Sequence, residues 1–176
     1  HPVLIRNATI HPVSGGVIEN GAIFFSDGVI GGVMSVAELD RQRVQWKSPP
    51  VVEIDASGKH VYPGLIGAYT TTGLTEIGSI ADTNDSYELG NITPEVRAAV
   101  AVNPDSTIIP VTRLNGVLTT GVFPSGGVLP GRVSVLRLDG WTWEDMTLVD
   151  DAGLVLNWPN MRPVNRWWMN ESDEEQ

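Results

Sequence analysis

Val51–Leu74, VVEIDASGKHVYPGLIGAYTTTGL, sets the frame for the whole chain. Val51 to Ile54 is a β-rich run, Ala56-Ser57-Gly58 is a turn signal, and His60-Val61-Tyr62 extends the chain again. Upstream, Val3 to Arg6, Ala22 to Ser26 and Val29 to Val36 are further β-rich runs. Asn7, Ser14-Gly15-Gly16, Asn20-Gly21 and Asp27-Gly28 punctuate them. Asp27-Gly28 between Ile23-Phe24-Phe25 and Val29-Ile30 has the composition of a two-residue hairpin, because both central residues of a type I′ turn need positive φ. Ala37 to Lys47 reads as a short helix or an excursion, broken by Ser48-Pro49-Pro50.

Downstream, Thr93-Pro94-Glu95 offers a cap, a proline for the first helical position and an acid in the first turn. This predicts a helix to about Val102. Asn103-Pro104-Asp105 repeats the device and predicts a second helix, ending near Asn115-Gly116. Gly116 to Phe123 and Arg132 to Leu138 read as strands. Thr142 is placed to cap a turn over Trp143-Glu144-Asp145, and Val155 to Asn157 reads as a last weak strand. The acidic tail from Trp167 to Gln176 is expected to fray.

The 176 residues are 41% hydrophobic, which supports a real core and excludes global disorder. A net charge of −10 argues against nucleic acid or an anionic membrane surface as partner, since both need patches of Lys and Arg. No apolar run approaches the roughly 18 residues of a membrane span. The absence of Cys excludes disulfides and thiolate metal sites. His1 without a preceding Met fits either a mature end left by leader cleavage or an imposed boundary. Export to a periplasmic or extracellular compartment is the expectation.

The segment from Ile54 onward resembles the amidohydrolase superfamily entry motif I-D-A-x-G-K-x-V-x-P-G-x-I-D-x-H-x-H. Pro63, Gly64 and Ile66 match it. Arg113–Gly127, RLNGVLTTGVFPSGG, resembles the family's A-x-x-x-G-V-T-T-V segment. The likeness is nearest to imidazolonepropionase-like members and runs roughly from Val3 to Asp139. It implies an α/β chain: a composite β-sandwich part over residues 1–62, then, over 63–176, the first strands and helices of a (β/α)8 barrel. It also implies hydrolysis of a non-peptide C–N bond in a small-molecule substrate, with metal-generated hydroxide as nucleophile.

Two departures qualify that picture. Gly67 stands where the motif has Asp, and Tyr69 and Thr71 stand where it has the two metal-binding His. The histidines are His1, His11 and His60, so none follows residue 60. In addition, residues 63–176 are too few for a complete barrel of ~250 residues. No cofactor is therefore expected in this chain; a single zinc or other divalent ion is expected in a longer protein, held by later residues. The catalytic residues stay unassigned. The barrel's completion is expected from the remainder of the polypeptide or from a second chain. The same degenerate metal motif also admits a non-catalytic binding or structural module.

Within this chain Tyr69, Thr71 and the loop Ser125, Gly126 and Gly127 are the candidate pocket-lining residues. Ser125 is not a nucleophile elbow, since G-x-S-x-G is not satisfied and no later His can serve as its base. Asp82 to Glu88 alternates oxygen ligands as a calcium loop does. However, Tyr87 occupies the glycine position and Thr93 the place of the final Glu, so a polar loop is expected. The glycines from Gly126 to Gly131 form no nucleotide-binding motif. His60 is expected to pack or face solvent. Trp141, Trp143, Trp158, Trp167 and Trp168 crowd the last third and read equally as core or as a surface that meets the missing segment. Asn7, Asn84, Asn91 and Asn170 begin glycosylation sequons by pattern only.

Overall fold

A computed structural model describes residues 2–43 and 52–159. Two compact units divide between Pro63 and Gly64. No helix among the described residues is long and apolar enough to cross a membrane.

The first unit is one sheet with a helix on it. β1 (Val3–Ile10) pairs antiparallel with β2 (Ile18–Ser26), which pairs antiparallel with β3 (Val29–Ser35). The hairpin between β2 and β3 turns at Asp27 and Gly28, with φ of 52° and 80°, as the type I′ reading requires. β4 (Val52–Asp55) and β5 (His60–Val61) both add to β1 in parallel, one after the other along its length. The helix α1 (Val36–Arg43) overlaps the stretch read as helix or excursion and begins one residue earlier, at Val36, which the sequence places in the preceding β-rich run. Residues 44–51, including Ser48-Pro49-Pro50, lie outside the described residues. Val36 and Leu39 of α1 are buried with Leu4 and Ala22, against Phe24 and Met34. The opposite sheet face carries Val52 and Ile54, 44% and 46% exposed. Within this unit the described residues form one sheet, and the second layer that a sandwich requires is not among them.

The turn after β4 shows what the I-D-A-S-G-K half of the motif does. The Asp55 carboxylate accepts from the Ser57 hydroxyl at 2.6 Å, from the Ser57 backbone N–H at 3.0 Å and from the Asn7 amide at 3.0 Å. Asn7 has a φ of 62° and sits where the β1–β2 register slips between Ile5 and Ala8. The hydrogen bonds from Ser57 and then Asn7 hold the Asp55 pKa below its ordinary value. Because the folded pKa is depressed, the carboxylate stabilises the fold above the ordinary carboxylate range, and that stabilisation is lost as pH falls through the lowered pKa. Asp55→Ala is therefore expected to lower the thermal midpoint at neutral pH, by an amount that shrinks in acid. Thermal melts of both proteins from neutral to strongly acidic pH check this; a pH-independent gap would contradict it.

The second unit is a mixed sheet. β6 (Leu65–Thr70) and β7 (Val117–Val122) are parallel, whereas β8 (Gly131–Arg137) and β9 (Thr147–Val155) return antiparallel, in the order β6-β7-β8-β9. The crossover from β6 to β7 contains 3-10 turns at Ala81–Thr83 and Ala98–Ala101 and the helix α2 (Ile108–Leu114). It packs Leu74, Ala98, Ala99 and Val102 against Val122 and Leu136 on one sheet face. The short α3 (Trp143–Met146), capped by Thr142 as expected, places Met146 against Ile109 and Leu138.

Several expectations change here. The helix predicted from Thr93 does not form: Pro94-Glu95 is a turn, and only Ala98–Ala101 winds, as a 3-10 turn. The Thr93 hydroxyl donates to the Leu129 and Pro130 carbonyls instead of capping, while Arg97 bridges Arg132. The neighbouring strand thus takes the groups a helix would use. The helix predicted from Asn103 begins only at Ile108, because the Asn103 side chain closes a local turn onto the Asp105 N–H at 3.1 Å. It ends as predicted, with Gly116 at a φ of 87°. Of the weak strand expected at Val155–Asn157 only Val155 is strand, as the last residue of the much longer β9, and Leu156 and Asn157 lie beyond it. The loop between β7 and β8 is too short for the crossover of roughly a dozen residues that a parallel repeat needs. Of the tryptophans, Trp143 packs on the core, Trp141 and Trp158 are exposed, and Trp167 and Trp168 lie outside the described residues.

Candidate functional site

The sheet of the second unit has one face under the crossover and one face open. Strand alternation sorts the side chains between them. Ser134 and Leu136 of β8 point to the covered face and are fully buried. Val133 and Val135 line an open pocket of about 620 Å3 on the other. Tyr69 and Ala68 of β6, Gly121 and Phe123 at the end of β7, and Ala152 to Asn157 at the end of β9 complete it. Val122 pairs with Ser134 and Val133 with Gly153, so the pocket lies at the carboxyl ends of β6, β7 and β9. That end of an α/β sheet is where ligands bind.

Tyr69 is the pocket's largest polar-tipped side chain. It is 74% exposed, and its ring lies against Phe123 with centroids 4.6 Å apart and planes tilted by 45°. The next residue turns inward: the Thr70 hydroxyl meets that of Thr120 at 2.7 Å and lies 3.1 Å from the Gly121 carbonyl. The Thr120 hydroxyl also lies 3.2 Å from the Gly67 carbonyl; with one hydrogen each, one hydroxyl donates to the other and the second donates to its carbonyl. This hydroxyl ladder ties β6 to β7 immediately behind Tyr69. A Cβ on Gly67 would lie 3.0 Å from the Thr70 methyl and 3.2 Å from the Thr120 hydroxyl. The position where the motif has Asp is thus tightly held.

Thr71 stands exposed just beyond the end of β6. Ser125 is half-buried and latched to Ser86, with hydroxyls 3.0 Å apart and its N–H donating to the Ser86 carbonyl at 2.6 Å. Gly126 and Gly127 meet the pocket through Asn157, whose side-chain amide donates to their carbonyls at 3.3 and 3.0 Å. The loop thus offers its carbonyl oxygens to a pocket residue. Sequence reasoning missed Phe123, Val133, Val135, Leu154 and Asn157 as lining groups. From Val133 to Leu138 each strand face carries two aliphatic residues and one polar one, Arg137 on one face and Ser134 on the other, so alternation alone did not say which face is open.

No family model matches the chain, and no curated protein matches it. Solved structures do. An amidohydrolase from Thermotoga maritima superposes with a TM-score of 0.76 at 24% identity, over 90% of this chain and 39% of that one. The chain shares the fold of that part of the Thermotoga protein. A zinc-bound adenosine deaminase from Xanthomonas campestris gives a TM-score of 0.44 at 20% identity, over 68% of this chain and 28% of that one. An A. niger ochratoxinase gives 0.37 at 17% identity, over 66% and 24%. This chain, a mixed-sheet α/β portion, therefore spans well under half of the Thermotoga amidohydrolase.

The resemblance read from the sequence motif carries the expectation of a divalent metal at the carboxyl ends of the strands. The groups gathered here do not fit one. The pocket is lined by apolar side chains, a phenol and a carboxamide, without imidazole or carboxylate. Among the described residues no three His, Asp or Glu side chains come together to hold an ion.

Proposed function

We propose that this chain is the N-terminal portion of an amidohydrolase-type hydrolase of non-peptide C–N bonds whose catalytic groups lie largely outside it. One observation carries the reading: an open, mainly apolar pocket at the carboxyl ends of β6, β7 and β9, on the sheet face the crossover leaves uncovered. In an α/β barrel such a face looks into the barrel, so further strands are needed to close it. The remainder of the polypeptide, or a second chain, supplies them together with the ligands of one zinc or other divalent ion. Tyr69, Thr71 and the Ser125–Gly127 loop then border the substrate. Zero cysteines accord with an exported protein, although they do not require one.

The donor chemistry of the pocket favours a second reading, a non-catalytic binding module on the same scaffold. Elemental analysis and hydrolysis assays on the full-length protein separate the two, with a panel of cyclic amides, ureas and amidines as substrates. The enzyme reading expects near-stoichiometric metal and a turnover that chelation abolishes. A metal-free, inactive full-length protein overturns it in favour of the module.

A further inference from the structure

The first unit carries a pair of histidines that the site above does not use. His11 follows β1, and His60 opens β5. The ladder fixes both backbones: His60 pairs with Thr9, and the His11 N–H donates to the Val61 carbonyl at 2.9 Å. This brings His11 Nε2 to 3.0 Å from His60 Nδ1. Tyr62 stacks on the His11 ring, with centroids 4.3 Å apart and planes within 8°, and so limits its rotation. His60 is exposed, His11 is partly exposed and Tyr62 is 62% exposed, so solvent reaches the pair.

We propose that His11 and His60 form a bidentate imidazole site for a late first-row divalent ion, copper(II) foremost. Two nitrogens bound cis in the tetragonal geometry of copper(II), at about 2.0 Å from the ion, sit about 2.8 Å apart. The present 3.0 Å separation therefore needs to change by only a few tenths of an ångström. The hydrogen now shared between the rings moves to the donor ring's other nitrogen, which leaves both facing lone pairs free for the ion without net loss of a proton. Water fills the remaining positions, since no third His, Asp or Glu joins the pair among the described residues. Copper(II) binds nitrogen donors most tightly in the first-row series, so it occupies the pair ahead of nickel or zinc. The stacked tyrosine and the strand ladder pre-position the donors, and the second imidazole then binds as an intramolecular ligand.

Calorimetric titration of the whole chain with copper(II), paired with electron paramagnetic resonance to count nitrogen ligands, tests the site. One ion per chain with two coordinated nitrogens is the expected result. His11→Gln and His60→Gln should each weaken binding by at least about tenfold, because each removes the chelate. Both positions are accessible to solvent, and circular dichroism confirms that the variants fold. His1→Gln should leave binding unchanged. Absence of saturable binding overturns the proposal. So does a complex that survives both the His11 and His60 substitutions, or one lost on substituting His1.

Discussion

Leu136→Ala is expected to cost about 2–5 kcal/mol in the unit that begins at Gly64, the range for a fully buried leucine whose cavity cannot close. Leu136 is 0% exposed and packs with Leu74, Ala98, Ala99, Val102 and Val122. The neighbours are small or fixed, so collapse into the void is restricted. Ala99 donates its N–H to the Ser134 hydroxyl at 3.1 Å, and Ser134 donates to the Asp150 carbonyl at 2.7 Å, which locks the 3-10 turn onto the sheet. Val135, one residue away, faces the open pocket and is only half-buried. Val135→Ala is expected to cost less than about 1 kcal/mol. Urea unfolding of both variants measures the asymmetry. Equal losses would mean that the pocket face is covered in this chain, and the argument for a missing closing layer would fail.

That asymmetry also marks where the sequence was legible. The Asp55-Ala56-Ser57-Gly58 turn, the Asp27-Gly28 hairpin, the Thr142 cap and the Gly116 helix end are local devices. Each is written in a few adjacent residues, and each stands in the structure as read. The Pro63–Ile66 match pointed to a fold that the Thermotoga amidohydrolase shares, and close packing leaves little choice there. A Cβ on Gly64, for example, would lie 2.5 Å from the Leu118 side chain. The failures are of another kind. Thr93 and Asn103 carry helix-start chemistry, but their side chains are spent on the 129–130 strand approach and on a local turn, and only tertiary contacts decide that. The length of β9 was hidden because Thr147 to Val155 contains two acids and a glycine. Asp150 and Asp151 become legible only once Arg97 and Arg132 are seen to pair with them. The candidate site was legible at Tyr69 through motif position. Asn157 carries no local signal, because its role is to tie a loop some thirty residues upstream.

Gly127→Ala is expected to destabilise the second unit by about 2–4 kcal/mol, combining left-handed backbone strain with a direct clash. Gly127 has a φ of 57°, and a Cβ there would stand 2.8 Å from the Asn91 carbonyl oxygen and 3.0 Å from its carbon. That carbonyl is already the acceptor for the Val128 and Leu129 N–H groups, at 2.7 and 3.0 Å. It cannot retreat without breaking the latch between the crossover and the β7–β8 loop. The same loop holds Asn157 at the pocket through the Gly126 and Gly127 carbonyls, so the damage is expected to reach the pocket rim as well as the stability. Gly153 provides the comparison. It also lines the pocket, but a Cβ added there meets nothing within 4 Å. Gly153→Ala should therefore stay within about 0.5 kcal/mol of the parent. Thermal and denaturant unfolding of the two variants reads the difference, and amide exchange at Val128 and Leu129 reads the latch directly. Faster exchange there in Gly127→Ala, with Gly153→Ala unchanged, ties the loss to the Asn91 carbonyl. Unaltered exchange in both would mean that the glycine loop is not held by Asn91, and that Asn157 is positioned by some other contact.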